Sequence, residues 1–182
     1  MLTENVSGAD NQQERLIKIG WIIGFVEGEG CFSVGFIKQP NREKRRGYSS
    51  GVQVWCEFAV TQGESSLEAL KEIQNFFGVG NIYLNKRYDN HREHLYRYVV
   101  RKRNDLLNVI IPFFSSYPMH TVKYEQFKKF RYVLDQIVLN KHLTDEGIIE
   151  LALIAEKMNA RKSRSELIRI LREHTPRSPE AI

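Results

Sequence analysis

Between Gly28 and Cys31 the hydrophobic period of this chain changes from that of a helix to that of a strand, with no loop between the two. Upstream, Leu16, Ile19, Ile22, Ile23 and Val26 recur at three- and four-residue intervals and predict a helix over Glu14–Gly28 with one broad apolar face. Downstream the sequence alternates: Cys31, Ser33, Gly35, Ile37 and Gln39 fall on one face of a strand, Phe32, Val34 and Phe36 on the other. Gly24 and Gly28 stand four residues apart on the helix, and each costs roughly 1 kcal/mol relative to alanine. At that spacing two glycines let another backbone come close.

The alternation returns over Val52–Gln62, with Val52, Val54, Cys56, Phe58 and Val60 opposite Gln53, Trp55, Glu57, Ala59 and Thr61. Pro40–Ser50, rich in Arg, Lys and Ser, is expected to be a long hairpin loop between these strands. Ser65–Phe77 has a helical period and is closed by Gly78. A second hairpin is expected over Asn81–Arg87 and Leu95–Arg101, joined by Tyr88-Asp89-Asn90-His91. Asp105–Phe114 reads as helical up to Pro112, Val122–Asn140 as a long amphipathic helix, and Thr144–Asn159 and Ser163–His174 as shorter ones. Thr144-Asp145-Glu146 supplies a helix start. The order helix, hairpin, helix, hairpin, helices predicts an α+β domain: one antiparallel sheet with its helices packed on one face. The expected organisation is a polar, frayed N-terminal extension 1–13, a core 14–140, a helical extension 141–175 and a loose tail 176–182.

Over 182 residues, 42% hydrophobic and 27% charged is the balance of a soluble globular chain, and no apolar run is long enough to cross a bilayer. The polar, acidic start is unlike a signal peptide, which points to an intracellular protein, in cytoplasm or an organelle matrix. Cys31 and Cys56 could pair, but reduced thiols are expected there, and two cysteines make no zinc site alone. The net charge of +5 is modest, yet its distribution is uneven. Basic residues gather at Lys38–Arg46, Lys86–Arg103, Lys123–Arg131 and Arg161–Arg172, interleaved in places with Tyr and Asn. One face of such a sheet is free to touch a partner. Here it would carry Ser33, Gln39, Gln53, Trp55, Asn81, Tyr83, Asn85, Arg87, Arg97 and Arg101. Gln, Asn and Arg match base edges in a major groove, which admits a two-stranded ribbon.

The segment Ile22-Ile23-Gly24-Phe25-Val26-Glu27-Gly28-Glu29-Gly30 resembles the LAGLIDADG motif of homing endonucleases. Cys-Phe-Ser-Val-Gly-Phe after it, Phe58-Ala59-Val60-Thr61-Gln62, Phe77-Gly78-Val79-Gly80 and Ile111-Pro112-Phe113-Phe114 with Tyr117-Pro118 and Lys123 extend the resemblance. It implies the αββαββα fold of that family, with a saddle-shaped antiparallel sheet that binds DNA and, here, extra C-terminal helices. It further implies an intron-encoded endonuclease that makes a double-strand break with short cohesive ends in a long target. Carried over residue by residue, Glu29 is the metal ligand assisted by the Gly28 carbonyl, Gln62 orients active-site water, and Lys123 lies near the scissile phosphate. Ile23, Gly24, Glu27 and Gly28 fall at the dimer interface, where the glycines allow close helix approach and Glu27 is structural. DNA contacts are expected from Ser33, Gly35, Ile37 and Gln39, from Arg42, Arg45 and Arg46, from Gln53, Trp55, Glu57 and Thr61, and from Asn81, Tyr83, Asn85, Arg87, Arg97 and Arg101. Both acids of the motif are Glu where the family more often has Asp.

Phosphodiester hydrolysis suits such a set. A hard cation polarises the phosphoryl oxygen and lowers the pKa of an attacking water. Magnesium takes one or two carboxylates together with substrate oxygens and water. Mg2+ or Mn2+ is the expected cofactor, with Ca2+ as a non-cleaving substitute. The motif occurs once, and family members with one copy act as homodimers, so a two-fold dimer reading a pseudo-palindromic double-stranded DNA site is expected, without a membrane partner. The helices after Lys141 are expected to brace the sheet and touch flanking phosphates through Arg161, Lys162, Arg164, Arg169 and Arg172. An RNA-splicing maturase and a non-cutting DNA-binding regulator are the alternatives on the same fold; the carboxylate kept at position 29 favours the nuclease.

Overall fold

The computed structural model describes residues 7–38, 51–86 and 93–158, together with Ser165, Ile168 and Arg169, which are helical. The expected loop Pro40–Ser50, the turn Tyr88–His91, the tail and the rest of the last helix lie outside these residues, as do Gln39, Arg42, Arg45, Arg46 and Arg87.

Helix α1 spans Ser7–Glu29 and strand β1 follows at once as Gly30–Lys38. The helix thus reaches seven residues ahead of its expected start at Glu14, into the segment read as a frayed lead-in. Ala9, Gln12 and Gln13 are tolerated in helices, and no proline intervenes. Gly30 marks the change of period. A Cβ there would lie 2.5 Å from Val26 Cγ1 and 2.6 Å from the Val26 carbonyl oxygen, so a side chain would be driven into the helix it leaves.

Strand β2 (Val52–Gly63) leads through a 3-10 turn, Glu64–Ser66, into α2 (Leu67–Phe77). Gly78 ends α2 in the left-handed region (φ 66°), and its N–H donates to the Gln74 carbonyl. Strands β3 (Asn81–Asn85) and β4 (Leu95–Val100) form the second hairpin. The next helical stretch comprises α3 (Arg103–Asp105), a π turn over Leu106–Ile110, and α4 (Ile111–Ser116). Here the expectation that helix stops at Pro112 is corrected. Pro112 sits in the first turn of α4, where its missing N–H costs little, and the π turn ahead re-registers the backbone hydrogen bonds around it. Helix α5 (Val122–Val138), a 3-10 turn Lys141–Leu143 and α6 (Asp145–Met158) complete the described chain. Thr144 caps α6, its Oγ1 accepting from the Gly147 N–H at 3.1 Å.

The strands are ordered β1-β2-β4-β3, with β4 antiparallel to both β2 and β3. The register sets Thr61, Arg97 and Tyr83 in one row, and Ala59, Val99 and Asn81 in another on the same face. The opposite face carries Phe58, Val60, Tyr98 and Val100.

By contact density the chain divides into two units, Met1–Cys31 with Phe58–Tyr124, and Phe32–Glu57 with Glu125–Ile182. In the first, Ile19, Ile22 and Val26 of α1 are buried, as are Leu70, Ile73, Leu106 and Ile110. Phe58 meets Phe77, Tyr98 and Phe114 edge-on, with ring centroids 5.5–6.2 Å apart, the preferred geometry for aromatic pairs. The Tyr98 hydroxyl donates to the Val79 carbonyl at 2.9 Å; burial first, and the charge of Asp105 second, hold its pKa well above the ordinary phenol range. Leu16, expected in the apolar stripe, is 55% exposed, so the buried part of the stripe begins at Ile19. In the second unit Phe32 packs, with tilted rings, at 5.5 and 5.3 Å against Phe127 and Phe130 of α5, and Val34, Val52, Val54 and Cys56 are buried. Helices α5 and α6 are tied by the Tyr132 hydroxyl donating to Glu150 at 2.7 Å, while Ile148, Leu151, Ala152 and Ala155 are buried.

Candidate nuclease site

Four candidate catalytic or metal-binding residues, Gly28, Glu29, Gln62 and Lys123, belong to the first unit. Glu29 is the last residue of α1 and is exposed. Its position follows from the period change. Val26 anchors the last turn in the core, Gly30 turns the chain into β1, and the carboxylate between them is left facing out. The last carbonyls of an α-helix lack intrahelical partners, which leaves oxygen donors at this end besides the carboxylate.

Lys123 is half-buried, and its Nζ donates to the Gly30 carbonyl at 2.6 Å, which brings an ammonium group from α5 to the residue next to Glu29. Glu27 does something different. Its Oε1 accepts from the backbone N–H groups of His120, at 2.5 Å, and Thr121, at 2.8 Å, at the entry to α5. Partial burial raises the Glu27 pKa, but the hydrogen bonds from Thr121 and His120 and the charge of His120 outweigh it, and the net pKa lies below the ordinary value. Sequence reading gave Glu27 a structural part; the partners, 93 and 94 residues away, carry no local signal. Gln62, near the end of β2, is half-buried and lies in register with Tyr96, on the opposite side of the strand from Thr61.

Among the described residues no group of three or more His, Cys, Asp or Glu is gathered as for a closed metal site. A lone exposed carboxylate with backbone carbonyls beside it fits a hard cation that keeps its waters and completes its shell from substrate. The set does not fit a four-ligand zinc centre.

Three glycines run along one side of α1. Gly20, Gly24 and Gly28 are exposed, and a Cβ built on any of them meets nothing within 4 Å. Gly20 escaped the sequence reading although it continues the same four-residue spacing. Ile23, also expected at an interface, is half-buried. Leu16 and Ile17, 55% and 67% exposed, lie a turn before Gly20 and extend this open side.

The candidate base-reading side chains fall in both units. In the first, Thr61 and Arg97 are half-buried, Asn81, Tyr83, Asn85 and Arg101 are exposed, and the Thr61–Arg97–Tyr83 row puts three of them on one face. In the second, Ser33, Gly35, Gln53 and Trp55 are half-buried and Ile37 is exposed. The Trp55 indole lies against Gly35, where a Cβ would come within 2.1–2.3 Å of three ring atoms. Glu57 corrects the alternation reading. It is 1% exposed, as is Ala59, so β2 is buried on both sides at its middle and the Glu57 carboxylate is not on the surface where DNA contact was expected. Arg169, expected to touch phosphates, is exposed on the last described helical residues. No described helix is long and apolar enough to cross a membrane.

Comparison with known proteins bears on this site. A family profile described as LAGLIDADG endonuclease matches residues 22–134, from the motif through most of α5. The chain is 32% identical over 128 residues to a probable intron-encoded endonuclease 2 of Neurospora crassa, covering 70% of this chain and 24% of that protein. It spans about a quarter of the length of the first curated relatives it matches, at 24%, 25% and 23%. Among solved structures, the homing endonuclease I-TnaI is 34% identical with a TM-score of 0.69, over 85% of this chain and 95% of that one. The archaeal intron-encoded homing endonuclease I-Vdi141I, complexed with DNA, is 28% identical with a TM-score of 0.71, over 87% and 97%. I-SmaMI, bound to an uncleaved DNA target in the presence of calcium ions, is 26% identical with a TM-score of 0.68, over 86% of this chain and 49% of that one. With the motif helix, the strand order and the match running through the same residues, the chain belongs to the LAGLIDADG endonuclease family.

Proposed function

We propose that this chain is a site-specific, intron-encoded homing endonuclease that hydrolyses phosphodiester bonds of double-stranded DNA with a divalent cation. The observation that carries this reading is the end of α1: an exposed Glu29 beside a glycine carbonyl to which Lys123 is hydrogen bonded.

Glu29, with the Gly28 carbonyl, would hold Mg2+ or Mn2+. When bound, such an ion stabilises charge at the phosphoryl group and lowers the pKa of water. Lys123 brings positive charge to the same helix end, where it opposes the charge of a phosphate, and Gln62 keeps the water-orienting part that the family resemblance gives it. Ca2+, with its looser coordination, would bind the same oxygens without supporting cleavage. The glutamate's extra methylene shifts the carboxylate by one carbon–carbon bond relative to aspartate, which a partly hydrated cation tolerates.

The active form is a homodimer through α1. Support comes from its open side, where Gly20, Gly24 and Gly28 leave room for a second backbone. The near-complete overlap with the I-TnaI and I-Vdi141I chains fits one such unit per subunit. Base readout falls to Ser33, Ile37, Gln53, Trp55, Thr61, Asn81, Tyr83, Asn85, Arg97 and Arg101, with Gly35 beneath Trp55. Gln39, Arg42, Arg45, Arg46 and Arg87 would add contacts from outside the described residues. The setting is an intracellular compartment that holds the target DNA.

The test uses the full chain and a plasmid carrying a site selected from a randomised library, with Mg2+ or EDTA. Mg2+-dependent cutting at one site is expected, and Glu29→Gln is expected to bind that site and cut at least a hundredfold more slowly, since metal-assisted stabilisation is worth several kcal/mol. Full cleavage by Glu29→Gln overturns the assignment. Tight binding by the wild type without cutting would favour the regulator, and selective binding of intron RNA the maturase.

A further inference from the structure

The two acids of the motif stand two residues apart, yet their surroundings differ. Glu29 faces out at the helix end, while Glu27 grips the segment that leads into α5. Both N–H groups it accepts, from His120 and Thr121, belong to residues immediately before Val122, where α5 begins. Lys123 is the second residue of that helix and reaches back to the Gly30 carbonyl. Between Glu27 and Gly30, and between His120 and Lys123, the backbone therefore closes a small ring with a hydrogen-bonded contact at each end. One end is made by the Glu27 carboxylate and the other by the Lys123 ammonium.

We infer that Glu27 is a positioning residue for Lys123: it fixes the entry of α5 so that the ammonium group is delivered to the end of the motif helix. The inference rests on the endonuclease reading only for what Lys123 does there. The physical argument is one of tethering. A lysine side chain has four rotatable carbons and can point its charge widely, so its placement depends on where its Cα is held. A carboxylate accepting two backbone N–H bonds is a strong, charge-assisted anchor for that Cα, two and three residues upstream. Both N–H groups donate to the same oxygen, Oε1, so an amide oxygen in its place keeps the geometry and loses the charge.

Two measurements test this. In the first, amide hydrogen exchange is followed at His120 and Thr121, a readout that needs no cleavage. Both amides are expected to be protected in the wild type, nearly as protected in Glu27→Gln, and to exchange at least tenfold faster in Glu27→Ala. Unchanged exchange in Glu27→Ala overturns the inference whatever the protein does to DNA. In the second, single-turnover cutting at saturating DNA and Mg2+ is compared for Lys123→Met, Glu27→Ala, Glu27→Gln and the double variant Glu27→Ala/Lys123→Met. Misplacing a catalytic group by about 1 Å costs on the order of a hundredfold. Glu27→Ala is expected to lose about that much rate with unchanged DNA affinity, and Glu27→Gln to recover most of it. The double variant should be no slower than Lys123→Met alone. Losses that multiply in the double variant, or a normal rate in Glu27→Ala beside a slow Lys123→Met, overturn the inference and leave the nuclease standing. A wild type that cuts nothing removes the nuclease reading, and the exchange measurement still decides whether Glu27 anchors α5.

Discussion

On one side of α1, Ile19, Ile22 and Val26 are at most 4% exposed; on the other, Leu16 and Ile17 are more than half exposed and three glycines meet nothing. Both sides are apolar, and both come from the same 23-residue helix. The buried side is accounted for within the chain: its residues meet the core of their own unit. The open side is not. Glycines at helix interior positions cost stability, and among the described residues these three return no contacts, which is why the proposed dimer is placed on this side. The contrast teaches that apolar periodicity alone does not say whether a face closes on its own chain or waits for another; the size of the residues on it does.

Mutations on the two sides should therefore behave in opposite ways. The largest effect is expected from Ile22→Ala, which leaves a cavity in a fully buried position and should cost about 2–5 kcal/mol of stability by urea denaturation. A loss well under 1 kcal/mol would mean that this side is not the closed one. Next comes Gly24→Leu. With open space at its Cβ, it should raise the helix's intrinsic stability by roughly 1 kcal/mol in the isolated chain while shifting sedimentation from dimer to monomer. Dimers that survive Gly24→Leu would place the assembly surface elsewhere.

Glu27 stands where the motif helix ends, and its effect should appear with pH. Its pKa in the folded chain is below the ordinary 4.5, so the stability it contributes is complete above that value and fades as pH falls through the folded pKa. Glu27→Gln should flatten this acid limb of a stability-against-pH curve; an unchanged limb would show that other carboxylates carry it. The smallest effect is expected from Ile17→Ala, within about 0.5 kcal/mol at concentrations where the chain is monomeric, because its side chain is mostly in water already. A larger loss there would mean that the open side is covered within the chain after all.

Much of this was legible in the residues. The alternation in β1 puts Phe32 and Val34 inside and Ser33 and Ile37 outside, and Gly78 stops α2 as a left-handed cap should. Thr144 caps α6 through its hydroxyl. Other features were beyond local pattern. Glu57 sits at an outward position of an alternating strand and is buried nonetheless, because burial of a strand's second face depends on what packs over it. Pro112 lies inside helical structure because a π turn precedes it, and no period announces such a turn. At the site, the motif spacing pointed to Glu29, Gly24 and Gly28, all three of which are exposed, but not to Gly20. The hydrogen bonds that join Glu27 to His120 and Lys123 to Gly30 each span 93 residues and depend on how α1 and α5 meet.

The indole of Trp55 rests on Gly35 with no space for even a methyl group between them. Positions 35 and 55 consequently form a single design variable. A library that varies residue 35 while keeping tryptophan opposite selects either glycine or a displaced indole, and a preference for glycine there would be misread as intolerance of the backbone. Shrinking residue 55 in the same clones opens position 35 to larger side chains, so the two positions are best varied together.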